Sequence, residues 1–239
     1  MVERGAAWVS GGASGIGLAI CRTLAGQGWR VCCADLRPGQ AEMNEIVDVA
    51  DAQAVEASLA RAEAALGPLT AAVNNAGIML RASLLESDPE AARGLIEVNL
   101  MGVIYGVLAQ GRLMAGRGAG QIINVSSGHA AIGAVDRSVY AAAKAGVEAF
   151  TRNAAIELAP HGVRVNAVAP GYTFTEMSRG SLVGERLARV EARLPLGRVG
   201  EAEEAAEAVA LLARGELPQL IGQTLRVDGG WTISDPPLA

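Results

Sequence analysis

Apolar positions along the chain follow a repeating rhythm. A short run of consecutive apolar residues is followed by a stretch in which they recur three or four apart. Ala6-Ala7-Trp8-Val9 predicts a strand, then a Gly-rich turn and a helix from residue 16 to about 27. Arg30-Val31-Cys32-Cys33-Ala34 predicts a second strand, ending in Asp35. After a short loop, Val55, Leu59, Ala62 and Leu66 fall at helical spacing. Residues 69–73 predict a strand stopped by Asn74-Asn75-Ala76-Gly77, and a long helix follows Pro89 towards Gly116-Arg117-Gly118. Residues 121–125 predict a strand, 139–158 a long helix closed by Pro160 and Gly162, and 163–168 a strand ending at Pro170-Gly171. Leu225-Arg226-Val227 predicts a last short strand before Asp228-Gly229-Gly230. Residues 172–200 are less regular and are expected to form a lid or substrate loop. The tail Asp235-Pro236-Pro237-Leu238-Ala239 is expected to be extended.

Strands alternating with helices imply crossover units and a mainly parallel sheet with helices on both faces. The expectation is an α/β protein with one Rossmann-type, doubly wound domain over residues 1–239. No internal repeat or low-complexity linker interrupts it.

Composition narrows the function. The chain has 239 residues, a formal net charge of -5 and no basic run, which argues against nucleic-acid binding. No apolar run reads as long enough to cross a bilayer, and the start lacks the features of a signal peptide. The expected location is cytoplasmic, without a membrane partner. Cys21, Cys32 and Cys33 lack metal-ligand spacing and are expected to be core residues; no metal is expected.

The first turn reads Ser10-Gly11-Gly12-Ala13-Ser14-Gly15-Ile16-Gly17. Glycines let the backbone approach a ligand, and the following helix N-terminus suits a pyrophosphate. The spacing is G-x-x-x-G-x-G rather than G-x-G-x-x-G. A tight turn without a ligand would share these glycines. Asp35 ends the second strand, where a carboxylate accepts hydrogen bonds from adenosine ribose hydroxyls and repels a 2′-phosphate. It points to NAD rather than NADP, with Arg37 the one nearby residue that would soften the repulsion.

Tyr140 and Lys144 lie four apart on one helix face. An ammonium near a phenol favours the phenolate, so the tyrosine would exchange a proton with an alcohol or carbonyl. That spacing alone is common. Upstream, Ile122-Ile123-Asn124-Val125-Ser126-Ser127-Gly128 predicts a strand ending in two serines.

Together these motifs resemble the short-chain dehydrogenase/reductase family, and the resemblance spans essentially the whole chain. The separation from Tyr140 selects Ser127 over Ser126. Asn75, Ala76 and Gly77 fall in the family's N-N-A-G, and Asn99 matches its helix asparagine. Asp48 and Val49 match the pair beside the adenine. Pro170 and Gly171 match the turn beside the nicotinamide, with Thr173 and Thr175 reaching the carboxamide and pyrophosphate. The resemblance implies an NAD-dependent oxidoreductase acting on a secondary alcohol or ketone. Tyr140 would be the general acid/base, and Ser127 would hold the substrate oxygen. Lys144 would hold the nicotinamide ribose and depress the tyrosine pKa, and Asn99 would hold a relay water. Two departures stand out: Ser10 replaces a threonine, and the stretch from Asp35 to Asp48 is short, so that crossover is expected to be mostly loop.

Substrate choice would fall to residues near the expected pocket rim. His129, two residues after Ser127, would bond a hydroxyl or carboxylate, or instead face solvent. Met79, Arg81 and Tyr172 share this double reading, Arg81 as a partner for an acidic substrate or as a solvated charge. His161 reads as a helix-end residue beside exposed carbonyls. Gly102, Gly106, Ala141, Ala145 and Ala149 allow close packing within the fold or between subunits, and the resemblance implies a homotetramer. Two other functions fit parts of the pattern. A non-catalytic NAD-binding regulator on this fold could dispense with Ser127, Tyr140 or Lys144. A serine hydrolase would want the G-x-S-x-G elbow that is missing here.

Overall fold

The structure, a computed structural model, describes residues 4–234. The tail from Asp235 lies outside the described residues. In chain order the elements are β1 (Ala6–Ser10), α1 (Gly15–Gly26), β2 (Arg30–Asp35), β3 (Met43–Ile46), α2 (Ala52–Leu66), β4 (Leu69–Asn74) and α3 (Pro89–Ile96). There follow α4 (Gly102–Ala115), β5 (Gly120–Val125), α5 (Ser138–Leu158), β6 (Val163–Pro170), β7 (Thr173–Phe174) and α6 (Glu176–Arg179). The last are α7 (Gly184–Glu191), β8 (Gly200–Glu201), α8 (Ala202–Ala213) and β9 (Thr224–Val227).

Seven strands form one sheet in the order β3-β2-β1-β4-β5-β6-β9, and every pairing is parallel. β1 is buried along its whole length because helices cover both faces. On one face α1 and α8 pack together, with Ile20 and Leu24 against Ala206, Val209 and Ala210. On the other lie α2, α4 and α5. Trp8 is fully buried there, and its indole N–H donates to Ser58 Oγ at 3.0 Å.

A buried polar chain ties the centre of the sheet to α4 and α5. Asn74 donates to Gln110 and Asn124, each at 2.9 Å, and Asn124 donates to Thr151, also at 2.9 Å. Each group is satisfied, so the amides fix the register of β4 and β5 without an orphaned dipole. All three cysteines are buried, as the sequence implied. A Cβ on Gly12 would sit 2.8 Å from the sulfurs of both Cys21 and Cys33.

The structure adds or corrects five features. β3 is a parallel edge strand that the pattern hid, because its four residues are only partly buried. Residues 36–42 reach it without a helix, as the short spacing implied. α8 was not apparent from its Ala- and Glu-rich run, since small apolar side chains give a weak periodic signal. The long helix after Pro89 passes through a π-helical segment at Glu97–Met101. The stretch Pro89–Ala115 is also long and apolar enough to cross a membrane, contrary to the expectation that no run is. Here it packs inward, with Leu95, Val103, Val107 and Met114 all buried. Residues 172–200 contain β7, α6 and α7 and are held by a separate cluster of Leu182, Leu194, Val199 and Trp231.

Candidate active site

The C-terminal ends of the strands carry the site, at the crevice where β1 and β4 lead to opposite sides of the sheet. The turn after β1 is closed by its neighbours. Ser10 Oγ accepts from the backbone N–H groups of Asn75 and Ala76 at 3.0 and 3.1 Å. The Asn75 amide donates to the carbonyls of Ser10 and Gly11. The serine in place of threonine therefore keeps the bond-forming hydroxyl. Gly17 has no room for a side chain, because a Cβ would overlap the Gly11 carbonyl.

The N-terminus of α1 is free of side-chain caps: Ser14 makes no capping bond, and its first turn carries no acid. This twelve-residue helix therefore points uncapped N–H groups at the turn, the donor set a pyrophosphate needs. A Cβ on Gly15, whose φ is 53°, would lie 3.5 Å from the Thr175 methyl, so Thr175 sits across the same turn. Asp35 ends β2 with its oxygens on the backbone N–H groups of Ala13 and Arg37, at 3.1 and 3.2 Å. Asp48 is exposed, whereas Val49 is buried against Gly102. Pro170 ends β6, and Gly171 lies so close to Asp228 that a Cβ would approach its Cα to 2.7 Å. Thr173 Oγ1 donates to the Gly171 carbonyl at 3.1 Å. These residues offer a cradle that fits a dinucleotide.

Further along the cleft, Ser127, Tyr140 and Lys144 come together. Ser127 is extended beyond β5 and accepts from the His129 N–H at 3.2 Å. Its side chain faces Tyr140 and holds the tyrosine pKa down in part. Ser126 points away into α5, donating to the Lys144 carbonyl and to Glu148. The two serines thus face different partners, and only Ser127 meets the tyrosine.

Lys144 is buried and donates to the Val125 carbonyl at 2.8 Å. Burial pushes its pKa down to about 8. Its Nζ stands 6.0 Å from the Tyr140 ring centre. Tyr140 departs from the sequence expectation: its pKa is raised, because burial outweighs the bond from Ser127 and the charge of Arg137. The ammonium does not offset the desolvation.

Asn99 is fully buried in the π-helical segment, and both ends of its side-chain amide are bonded to Ile78. Oδ1 accepts from the Ile78 N–H at 2.7 Å, and Nδ2 donates to its carbonyl at 2.8 Å. A Cβ on Gly77 would lie 3.0 Å from Asn99 Oδ1 and 3.6 Å from Lys144 Nζ, so this segment runs between the two.

Beyond Tyr140 the site is aromatic. The His129 ring packs edge-on against Tyr140, Tyr172 and Trp231, with centroids 6.0, 6.4 and 4.9 Å away. Burial and the charges of Arg137 and Arg81 push its pKa down to about 4, and its Nδ1 is buried without a partner. Met79 and Arg81 are exposed on the loop after Ile78. His161 is exposed at the far end of α5. Sequence reasoning missed Arg137 and Trp231. Arg137 was legible as the residue one helical turn before Tyr140, whereas Trp231 enters through tertiary packing. A separate cavity of about 380 Å³ lies behind Tyr172 and Thr173, lined by Arg198, Glu204 and Arg226, and excludes Ser127, Tyr140 and Lys144.

A crevice of this kind, lined by a phosphate turn and a tyrosine beside a lysine, belongs to the dinucleotide-binding oxidoreductases. A family model described as enoyl-(acyl carrier protein) reductase matches residues 11–232, and the chain belongs to the short-chain dehydrogenase/reductase family. It is 42% identical to a cis-4-hydroxycyclohexanecarboxylate dehydrogenase of Sinomonas cyclohexanicum, covering 94% of this chain and 95% of that one. It is 41% identical to an L-tagatose-forming galactitol 2-dehydrogenase of Cereibacter sphaeroides, covering 94% of each. The structure of a gluconate 5-dehydrogenase from Burkholderia cenocepacia J2315, in complex with NADP and tartrate, superposes with a TM-score of 0.91. The two are 33% identical over 98% of this chain and 97% of that one. The protein is an oxidoreductase of a family that uses NAD or NADP.

Proposed function

We propose that the protein transfers a hydride between NAD(H) and a secondary alcohol or ketone, with Tyr140 as general acid in reduction and general base in oxidation. The observation that carries this reading is Tyr140 facing Ser127, with the buried Lys144 ammonium 6.0 Å from its ring centre on the same helix. A nicotinamide, when bound, supplies or accepts the hydride. Ser127 holds the substrate oxygen and steadies the charge that develops on it. Tyr140 gives that oxygen a proton or takes one. Lys144 spends one N–H on Val125 and has two left for ribose hydroxyls. A cationic ring and ribose contacts near the phenol would lower the raised tyrosine pKa towards the working range. Asn99 braces the 77–78 segment beside the lysine. Because its side chain is occupied by Ile78, a relay water would draw on its backbone or its remaining N–H.

Asp35 supports NAD, since its carboxylate stands where a 2′-phosphate would be repelled. Ser10, Gly11, Ser14, Gly15, Ile16 and Gly17 would cradle the pyrophosphate together with Thr175. Asp48, Val49, Asn75, Ala76 and Gly77 would flank the adenosine half, and Pro170, Gly171 and Thr173 the nicotinamide. Residues 172–200 would cover the substrate. The relatives' named substrates, a hydroxycyclohexanecarboxylate and a hexitol, are both secondary alcohols. A non-catalytic role would leave the Ser127–Tyr140–Lys144 cluster without a purpose. We also infer a cytoplasmic homotetramer. Gly102 and Gly106 pack inside the fold, against Val49 and Asn74, but Ala145, Leu108 and Ile156 are exposed on α4 and α5. Sedimentation should give about four subunits, and a stable monomer refutes it.

Replacing Tyr140 with Phe tests the chemistry. Turnover of secondary alcohols should fall by about 10²-fold or more, while NADH binding, read by fluorescence, persists. Undiminished turnover removes Tyr140 from the mechanism.

A further inference from the structure

The sheet divides the three cysteines between its two faces. Side chains alternate along β2, so Cys32 joins the cluster of Trp8, Val55 and Leu59 on one face and Cys33 the cluster of α1 on the other. Cys21, on α1, belongs to the same cluster as Cys33. Gly12 shows how near these two sulfurs stand, because a Cβ there would lie 2.8 Å from each. They are therefore no further apart than twice that distance, on a helix and a strand that pack together. A disulfide, about 2 Å long, closes such a gap with modest movement of α1 and the two side chains.

The pair lies directly beneath the phosphate turn. The Gly11 N–H donates to the Ala34 carbonyl at 2.7 Å, Gly12 lies on the Cys33 sulfur, and the Ala13 N–H donates to Asp35 at 3.1 Å. Three successive residues of the turn thus rest on three successive residues of β2. Cys21 meets Gly12 from the α1 side. A bond that draws α1 to β2 at this point shifts the floor of the turn, and with it the seat of Asp35.

The loop 36–42 covers Cys33, and a Cβ on Gly39 would overlap its sulfur. That loop has no regular structure and exposes Leu36, Arg37, Pro38 and Gln40. A hydrogen bond of 2.7 Å from Arg22 to Gln40 ties it to α1. Local opening of such a loop costs far less than unfolding and admits a small oxidant. The facing Cys21 side chain holds the Cys33 thiol below its ordinary range, whereas burial pushes Cys32 up to about 12. Cys33 is the better thiolate of the two neighbours.

We propose that Cys21 and Cys33 form a modification site, joined by peroxide in a reversible disulfide that weakens binding of the nicotinamide dinucleotide. The Cys33 thiolate attacks one oxygen of hydrogen peroxide, the O–O bond breaks, and the departing hydroxide takes a proton to become water. The resulting sulfenic acid is attacked at sulfur by Cys21; the S–O bond breaks, and the hydroxyl leaves with the Cys21 proton as a second water. Two thiols lose two electrons, and peroxide gains them. The loss of affinity rests on the reading of this turn as a pyrophosphate cradle, whereas the bridge does not.

The test exposes reduced enzyme to hydrogen peroxide and then removes the oxidant. Intact mass, peptide mapping without reductant, and fluorescence titration with NADH and NADPH follow. The mass should fall by about 2 Da, and fragmentation of the linked peptides should place the bridge between Cys21 and Cys33. Affinity for the preferred cofactor should fall about tenfold or more, and dithiothreitol should restore both mass and affinity. Cys32→Ser should behave as wild type. Cys21→Ser should form no bridge and should leave Cys33 as a sulfenic acid that dimedone traps. If a variant misfolds, mapping of the wild-type protein still decides. The proposal is overturned by the absence of a bridge, by a bridge through Cys32, by oxidation to sulfinic acid alone, or by a Cys21–Cys33 bridge that leaves affinity unchanged. Reduced enzyme that binds neither cofactor refutes the cradle and the switch with it, while the mass separately records whether the bridge forms.

Discussion

The carboxylate of Asp35 accepts a hydrogen bond from the backbone N–H of Ala13 at 3.1 Å, which fixes the end of β2 over the phosphate turn. The negative charge is thereby held where the adenosine ribose would lie. Asp35→Ser should shift the ratio of NADH to NADPH affinity towards NADPH by about 10- to 100-fold. Fluorescence titration with both cofactors measures it. An unchanged ratio would mean that another residue reads the 2′-position.

Gly17 and the Gly11 carbonyl leave no space between them for a methyl group. Gly17→Ala must push the start of α1 away from the turn. The expected loss is about 1–3 kcal/mol of stability, together with at least a tenfold weaker NADH affinity. Thermal melting and NADH titration report the two effects separately, and normal values for both would show that the turn yields freely.

These two sites differ in how openly the sequence declared them. The glycines and Asp35 are local signals, because a turn's backbone conformation and a strand's last residue are written in adjacent positions. Tyr140 and Lys144 are legible for the same reason, since helical spacing puts them on one face. What escaped was tertiary. β3 lacks a buried face of its own, α8 is built from alanines, and Trp231 reaches the site only because the chain returns after β9. The direction of the Tyr140 shift was also hidden, for it depends on how much protein surrounds the phenol and where the ammonium stands.

Lys144 makes stability depend on alkaline pH in a defined direction. Burial lowers its pKa from 10.5 to about 8, whereas the unfolded lysine titrates near its ordinary value. Below about pH 8 both states are protonated, and the cost of burying the ammonium is present in full. Between about 8 and 10.5 the unfolded chain binds more protons, so stability rises with pH relative to a chain without this group. Urea unfolding of wild-type and Lys144→Met proteins should show wild-type gaining up to about 3 kcal/mol on the variant across that window. A constant difference would place the ammonium in contact with solvent or an anion.

Glu148 on α5 and Arg226 on β9 form a second charge relationship, beside Ser126 and behind Ser127. Arg226 Nη2 and Nη1 reach the two carboxylate oxygens at 3.2 and 3.3 Å, and Ser126 donates to one of them at 3.1 Å. The glutamate side chain is only 10% exposed, while the arginine side chain is 31% exposed. Removing the arginine leaves the carboxylate largely desolvated with the serine as its remaining partner. Arg226→Leu should therefore cost about 1–3 kcal/mol, less than the loss from a fully buried pair because water reaches the arginine side. Adding Glu148→Gln should restore part of that loss, since the amide no longer needs a counter-charge. Denaturant unfolding of the two single variants and the double variant measures the coupling. Purely additive losses would show that the pair contributes through packing rather than charge.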